Sequence, residues 1–299
     1  MIKDNNLWND YVAFHKEQMR SWDIDPVYPV LKHIIKDVEP ESGLWLTFLH
    51  VAYYNIGSAL AVWHRYPMPT LPEDVFLKYP CGTERRAHRS PEKLKKHLID
   101  LLTNVPLTTF VNKAIVDNPL RSWSRMEVML QSVWGNGRWA TFKTSEMLMK
   151  VNDLPLQATD MGHKNGSGSK HGLKLLFPNS PTGNSPREIA VLDKISQDLV
   201  DRLRQHGATA TLETAETSLC DFHSMLQGRY YVGHDIDAMQ QQLLSFPSML
   251  TKKAFEARSN SIPVEYLGEV NGWEKPDEQR KRAYKQNQQL LFRQNSNNS

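Results

Sequence analysis

The segment from Ser42 to His64, which carries GLWLTFLHVAYYNIGSALAVWH, constrains the fold more than any other. It is apolar nearly all round, so as a helix it has no face to offer water and must be enclosed by other elements. Gly57-Ser58 within it predicts a point where a neighbouring helix approaches closely. No apolar run reaches the length needed to span a bilayer, so this reads as the central helix of a soluble protein. Pro67, Pro69 and Pro72 then force an extended connection.

Around that segment the chain reads as mostly helical. Asn5 or Asn6 caps a helix through about Trp22, with Leu7, Tyr11, Phe14 and Met19 partly on one face. Asp25-Pro26 breaks it, and Pro29 starts the next helix. Ser90-Pro91-Glu92 is another start, with proline at the first helical position. Helices are expected at 91–104, 107–117, 122–134, 138–151, 186–206, 214–227, 236–244 and 247–258. Only Gly207–Leu212 and Tyr230–Val232 lean toward strand. The expected fold class is mainly α, with one domain over residues 1–275 made of two intimate helical lobes. Residues 276–299, rich in Gln, Asn, Lys and Arg, read as a polar helix and a disordered tail.

Composition removes several classes. Two cysteines, Cys81 and Cys220, are too few for a disulfide framework or a four-thiolate metal site. The opening MIKDNNLWNDY contains two acids and no apolar core, so it does not read as a signal peptide, and a reducing cytoplasm is expected. Net charge is only +3, so any nucleic-acid surface must be a local patch.

Such patches occur. In Gln131–Lys174 a helix runs into Gly135-Asn136-Gly137 and a second helix leaves at once, with Arg138 in its first turn. Glycines permit the reversal, and the amides of the turn and of the following helix start can take one phosphate; a hairpin that only packs has the same local pattern. Asp160 follows as an isolated acid, readable as a helix cap or as a functional carboxylate. Gly162–Gly172 reads as a glycine-rich loop in which Lys164, Lys170 and His163 add charge; it is either a surface loop or a lid, and it does not fit a P-loop. Between Gly82 and His97 six Lys/Arg stand against two acids. There, Arg85, Arg86 and Arg89 suit bidentate phosphate contact, while Lys93, Lys95 and Lys96 read more as a solvated helix face.

WGNGRWATFKTSEML followed by ATDMGH resembles the helix-hairpin-helix DNA glycosylases, with the hairpin at about 122–151 and Asp160 at the place of the essential aspartate. Trp139 stands where strand-cleaving members carry lysine, with Lys143 one turn further on, and the iron–sulfur cysteine cluster of some members is missing; lyase chemistry is not expected. LWLTFLHVAYYNIGSA, CGTERRAHRSPEKLKKHL, WGNGRWATFKTSEML and ETSLCDFHSMLQGRYYVGHDID resemble the phage α-glutamyl/putrescinyl thymine pyrophosphorylases over most of residues 20–240. That family includes amino acid:DNA transferases of thymine hypermodification. The resemblance implies a helix-hairpin-helix glycosylase-like fold. The implied substrate is double-stranded DNA bearing phosphorylated or pyrophosphorylated 5-hydroxymethyluracil, made by a DNA kinase acting upstream. An amino acid or polyamine displaces the (pyro)phosphate, in the cytoplasm of an infected bacterial host, as a means of evading restriction.

Such a reaction needs access to the base, neutralisation of the leaving phosphate, a carboxylate and a donor pocket. Trp134, Trp139 and Tyr231 are the candidates to stack on a flipped base, although each also suits a core. Arg85, Arg86, Arg89, Gly135, Gly137, Arg138, Lys164 and Lys170 are the candidates for DNA and phosphate. Asp160, Lys143 and His223 are the catalytic candidates. For the donor, Arg229 suits a carboxylate and Asp235 or Asp237 an ammonium group. Cys220 reads either as a nucleophile toward the pyrimidine or as an inert buried thiol. His234-Asp235-Ile236-Asp237 is too unspecific to define a metal site, and no metal or cofactor is expected. Two other classes share these features: a glycosylase excising a modified base, and a non-catalytic DNA-binding protein.

Overall fold

A computed structural model describes residues 5–70, 79–82, 90–164, 166, 168–246 and 249–267, and among them the regular elements are all helical. In chain order they are α1 (Asn5–Ser21), α2 (Val27–Ile35), α3 (Pro40–Tyr53), α4 (Ile56–Arg65), α5 (Pro91–Leu102), α6 (Leu107–Asn112) and α7 (Pro119–Ser132). There follow α8 (Arg138–Lys150), α9 (Gly168–Leu176), α10 (Pro186–Gln205), α11 (Leu212–Leu226), α12 (His234–Leu244) and α13 (Met249–Ser261), then a 3-10 turn at Val264–Tyr266. No described helix is long and apolar enough to cross a membrane.

The helices sort into two units. One holds α2 to α8, the later part of α12, and α13; the other holds α1, α9, α10, α11, the start of α12 and the 3-10 turn.

In the larger unit α3 is the centre. Every residue from Ser42 to Tyr53 is buried, and α2, α4, α5, α6 and α8 pack around it. The apolar segment is two helices rather than one. Tyr54 turns left-handed at φ 46° and its N–H closes on the His50 carbonyl; Asn55 then caps α4, its side chain accepting from the Ser58 amide at 3.0 Å. Gly57 is the close approach expected of it: a Cβ there would lie 2.2 Å from the Gln242 carbonyl oxygen on α12. Trp123 and Phe142 meet edge to face at 5.4 Å and tie α7 to α8.

In the smaller unit α11 lies against α1, α9 and α10. Phe222 on α11 packs with Tyr11 at 5.3 Å and Phe14 at 5.4 Å on α1. The segment expected as a glycine-rich loop up to Gly172 becomes α9 from Gly168 onward. Its glycines serve contact. A Cβ at Gly168 would lie 2.5 Å from Cys220 Sγ, and one at Gly172 would lie 2.5 Å from the Leu219 carbonyl oxygen. Two glycines four apart thus form one face of α9 that lets α11 approach. The strand-leaning runs are not strands. Gly207, at φ 73°, ends α10; Thr211 begins α11 with a capping box to Thr214; and Tyr230–Val232 is irregular.

Candidate functional site

The hairpin of the larger unit is built by three local devices. Asn118 and Pro119 start α7, earlier than expected. Gly135 takes φ 85°, a conformation that favours glycine. Asn136 locks the turn, its amide N–H reaching the Val133 carbonyl at 3.1 Å and its side chain the Leu130 carbonyl at 3.0 Å. Gly137 then leads into α8 with no side-chain cap, and a Cβ on it meets nothing within 4 Å. The positive end of α8 therefore opens onto free space, as an anion site requires.

Helix α5 clasps this hairpin. Asp100 accepts the Trp134 amide at 2.7 Å, His97 Nδ1–H donates to the Trp134 carbonyl at 2.7 Å, and Lys96 Nζ stands 4.4 Å from the centre of the Trp134 ring. The Trp134 backbone is thereby fixed, with its ring half-buried beside a lysine. Lys93 and Lys96 are exposed on the same helix, and Arg138 is half-buried at the hairpin. Arg85, Arg86 and Arg89 lie outside the described residues, in the stretch just before α5. Trp139 is 38% exposed and rests edge-on against Tyr54 at 4.8 Å, which leaves ring surface accessible at the hairpin.

Lys143 sits one turn along α8, buried. Its ammonium bonds Glu146 at 2.9 Å, and Glu146 also accepts from Lys150 at 2.8 Å and from the Tyr28 hydroxyl at 3.0 Å. Burial would raise the Glu146 pKa, but the two lysines outweigh it and bring it down to about 2. This packed charge triad gives Lys143 a scaffold partner.

The smaller unit carries the other candidates. Asp160 is half-buried, and its carboxylate accepts the Gly162 amide at 2.5 Å in a local turn. Lys164 is exposed, whereas Lys170 is buried on α9 with its ammonium held by the Gly183 carbonyl and the Asn184 side chain. His163 is buried against Ser196 at 2.7 Å. His223 stacks on His171 at 5.3 Å; burial, His171 and Arg229 all lower its pKa. Arg229 is exposed and bonds Gln227. Tyr231 is buried with its hydroxyl on Asp237 at 2.7 Å, so neither side chain faces solvent. Asp235 is 40% exposed and pairs with His234 at 2.8 Å.

Around Asp235 lies a group that no local spacing in the sequence announces. Gln18 on α1 donates through Nε2 to Asp221 at 2.8 Å and to the Tyr230 hydroxyl at 3.0 Å. Tyr230 donates to Asp23 at 2.5 Å, and Asp23 also accepts the amides of Asp235 and Ile236 at 3.0 and 3.1 Å. Burial, then the Asp235 charge, pushes Asp23 up to about 7 despite these bonds. Burial, then Asp235, Asp23 and Asp25, holds Asp221 well above the usual carboxylate range. Among the described residues no three His, Cys, Asp or Glu side chains converge as a metal set.

The larger unit thus offers an open helix terminus beside cations, and the smaller a cluster of aspartates linked through Gln18 and Tyr230. Comparison with curated proteins gives no match. Residues 19–231, which contain the hairpin, Asp160, Asp23, Asp221 and Tyr230, match the family model of the amino acid:DNA transferases (ADDT). The chain belongs to the amino acid:DNA transferase family, and its substrate is DNA.

Proposed function

We propose that this transferase acts on double-stranded phage DNA carrying phosphorylated or pyrophosphorylated 5-hydroxymethyluracil and replaces the phosphate group with an amino acid or polyamine. The observation that carries the reading is the open, uncapped start of α8 at Gly137, with Arg138 in its first turn, Lys96 against the neighbouring Trp134 ring, and Trp139 exposed beside it. The hairpin grips one backbone phosphate through amides and the helix dipole, while the cations supply the salt-dependent part of affinity. Trp139 stacks on the flipped nucleotide or fills the gap it leaves. Arg85, Arg86 and Arg89 neutralise the departing phosphate oxygens, where charge accumulates in the transition state. Asp160 supports positive character near the base, and Arg229 with Asp235 receives the donor. A DNA kinase supplies the activated base in the infected cell, and the product shields the DNA from restriction.

The test is to incubate the protein with such DNA and a panel of amino acids and putrescine, digest to nucleosides, and look for a mass adduct. An adduct that requires both the phosphorylated base and the donor supports the reading. Intact DNA binding without an adduct from any donor removes it, and abasic sites in place of an adduct reassign the chain to base excision.

A further inference from the structure

The carboxylate group of the smaller unit has features that point to a bound cation. The ionisable groups acting on Asp221 are Asp235, Asp23 and Asp25, all acids. Gln18, with no exposed surface, spends both amide hydrogens on Asp221 and Tyr230 and leaves its carbonyl oxygen Oε1 without a hydrogen-bond partner. A buried amide oxygen without a donor is unfavourable, and a ligand N–H relieves it. Asp235 is 40% exposed and opens the group to solvent on its side, while Asp221 is half-buried and Asp23 buried.

Two cations can satisfy such a group, a divalent metal or an ammonium. A metal needs several carboxylate oxygens converging at roughly 2.0–2.6 Å. Here no three acidic, histidine or cysteine side chains among the described residues converge in that way. The acceptors are instead interleaved with a carboxamide and a phenol. Separate acceptors for separate N–H donors are what a primary ammonium, with three hydrogens, uses.

We propose that Asp221, Asp235 and the Gln18 carbonyl, backed by Asp23 and Tyr230, form the seat for the ammonium group of the amine donor, with Asp221 taking its proton. This deepens the transferase reading and rests on it. The step balances as follows: one N–H proton passes to the Asp221 carboxylate, and the freed nitrogen lone pair forms the C–N bond at the exocyclic methylene carbon of the base. The C–O bond to phosphate breaks, and its electron pair leaves on the phosphate oxygen. The groups facing Asp221 are Gln18, Asp23 and Asp25 from α1 and the residues after it, with Tyr230 and Asp235. His234 pairs with Asp235 and has its ring 5.2 Å from that of Tyr230. The raised affinity of Asp221 for protons is what a group that accepts one from an ammonium needs.

The test titrates glycine, L-glutamate, L-lysine and putrescine onto the full-length protein, free and bound to phosphorylated 5-hydroxymethyluracil duplex, by calorimetry. Acetate, glutarate, hexanoate and 1,4-butanediol serve as their respective counterparts without the ammonium. The expected result is that at least one amine binds and its counterpart does not. Asp221→Asn should weaken that binding at least tenfold while leaving DNA affinity unchanged and thermal stability unchanged or higher, because it neutralises a carboxylate that its surroundings disfavour. Asp235→Asn, on the exposed side, should weaken the same amine several-fold and provides a second variant. Equal amine binding by wild type and Asp221→Asn, or no amine bound in either state, overturns the seat. A wild-type DNA adduct formed with the same KM by Asp221→Asn sinks the seat and spares the transferase reading, whereas Asp221-dependent amine binding with no wild-type adduct sinks the reading instead.

Discussion

Glu146 should be the most costly single carboxylate to neutralise in the larger unit. It has no exposed surface, and its two oxygens accept from Lys143, Lys150 and the Tyr28 hydroxyl. Its pKa of about 2 in the fold stands against an ordinary 4.5. At about 1.4 kcal/mol per pKa unit, the gap corresponds to roughly 3 kcal/mol of stability. Because the folded pKa is the lower one, the unfolded chain binds the proton first as pH falls. The stabilisation is complete above about pH 4.5 and drains away as pH drops toward about 2. An independent route reaches the same size: removing one member of a buried ion pair costs about 3–5 kcal/mol, since it strands the remaining charge. Glu146→Gln keeps the shape but leaves Lys143, 7% exposed, without its counter-charge. Urea unfolding at pH 7 should show a loss of about 3 kcal/mol, and the gap between variant and wild type should narrow between pH 5 and pH 3. A loss under about 1 kcal/mol at pH 7, or a gap that ignores pH across that range, would refute the electrostatic account. The same experiment bears on Lys143: Lys143→Met should lower stability while kcat per folded molecule is retained, and a selective collapse of kcat would instead make it catalytic.

Four further outcomes follow from particular positions. Gly172→Ala places a Cβ 2.5 Å from the Leu219 backbone oxygen and should cost about 1–3 kcal/mol in urea unfolding, whereas Gly137→Ala meets nothing and should leave stability alone while weakening duplex binding. Unaltered DNA affinity in Gly137→Ala would argue against the hairpin as the phosphate grip. Arg138→Ala should weaken DNA binding regardless of sequence and flatten the slope of log affinity against log salt by about 1; an unchanged slope would remove Arg138 from the interface. Trp139→Ala, at a position 38% exposed, should reduce transfer and the fluorescence response of a base analogue at the target site with little change in melting temperature, and full activity would exclude a stacking role.

What could be read from the sequence divides by distance along the chain. The hairpin turn is legible because Gly135, Asn136 and Gly137 act locally, through a backbone angle and contacts that residue type dictates, whereas the Asn118 cap that starts α7 earlier than expected is not. The central helix is legible because a segment apolar on every side has one place to go. Its division at Tyr54–Asn55 is not, since the cap Asn55–Ser58 is embedded in apolar residues that read as continuous. The Gly168 and Gly172 pair misleads for another reason. A glycine serves either a permissive angle or a close approach, and only the partner surface, here Cys220 and Leu219, tells which. The acidic group escapes altogether, because Gln18 meets Asp221 across 203 positions and Tyr230 across 212, and neither pairing leaves a spacing to find.

The net charge of +3 conceals an uneven distribution. In the larger unit the open start of α8 stands with Arg138 and near Lys96, and Asp100 is spent on the Trp134 amide. In the smaller unit four aspartates act on one another, with a buried carboxamide oxygen still seeking a donor. A phosphodiester placed at the second group would meet only repulsion, and an ammonium placed at the helix start would meet the positive end of a dipole. The two environments therefore select ligands of opposite charge whatever the arrangement of the units.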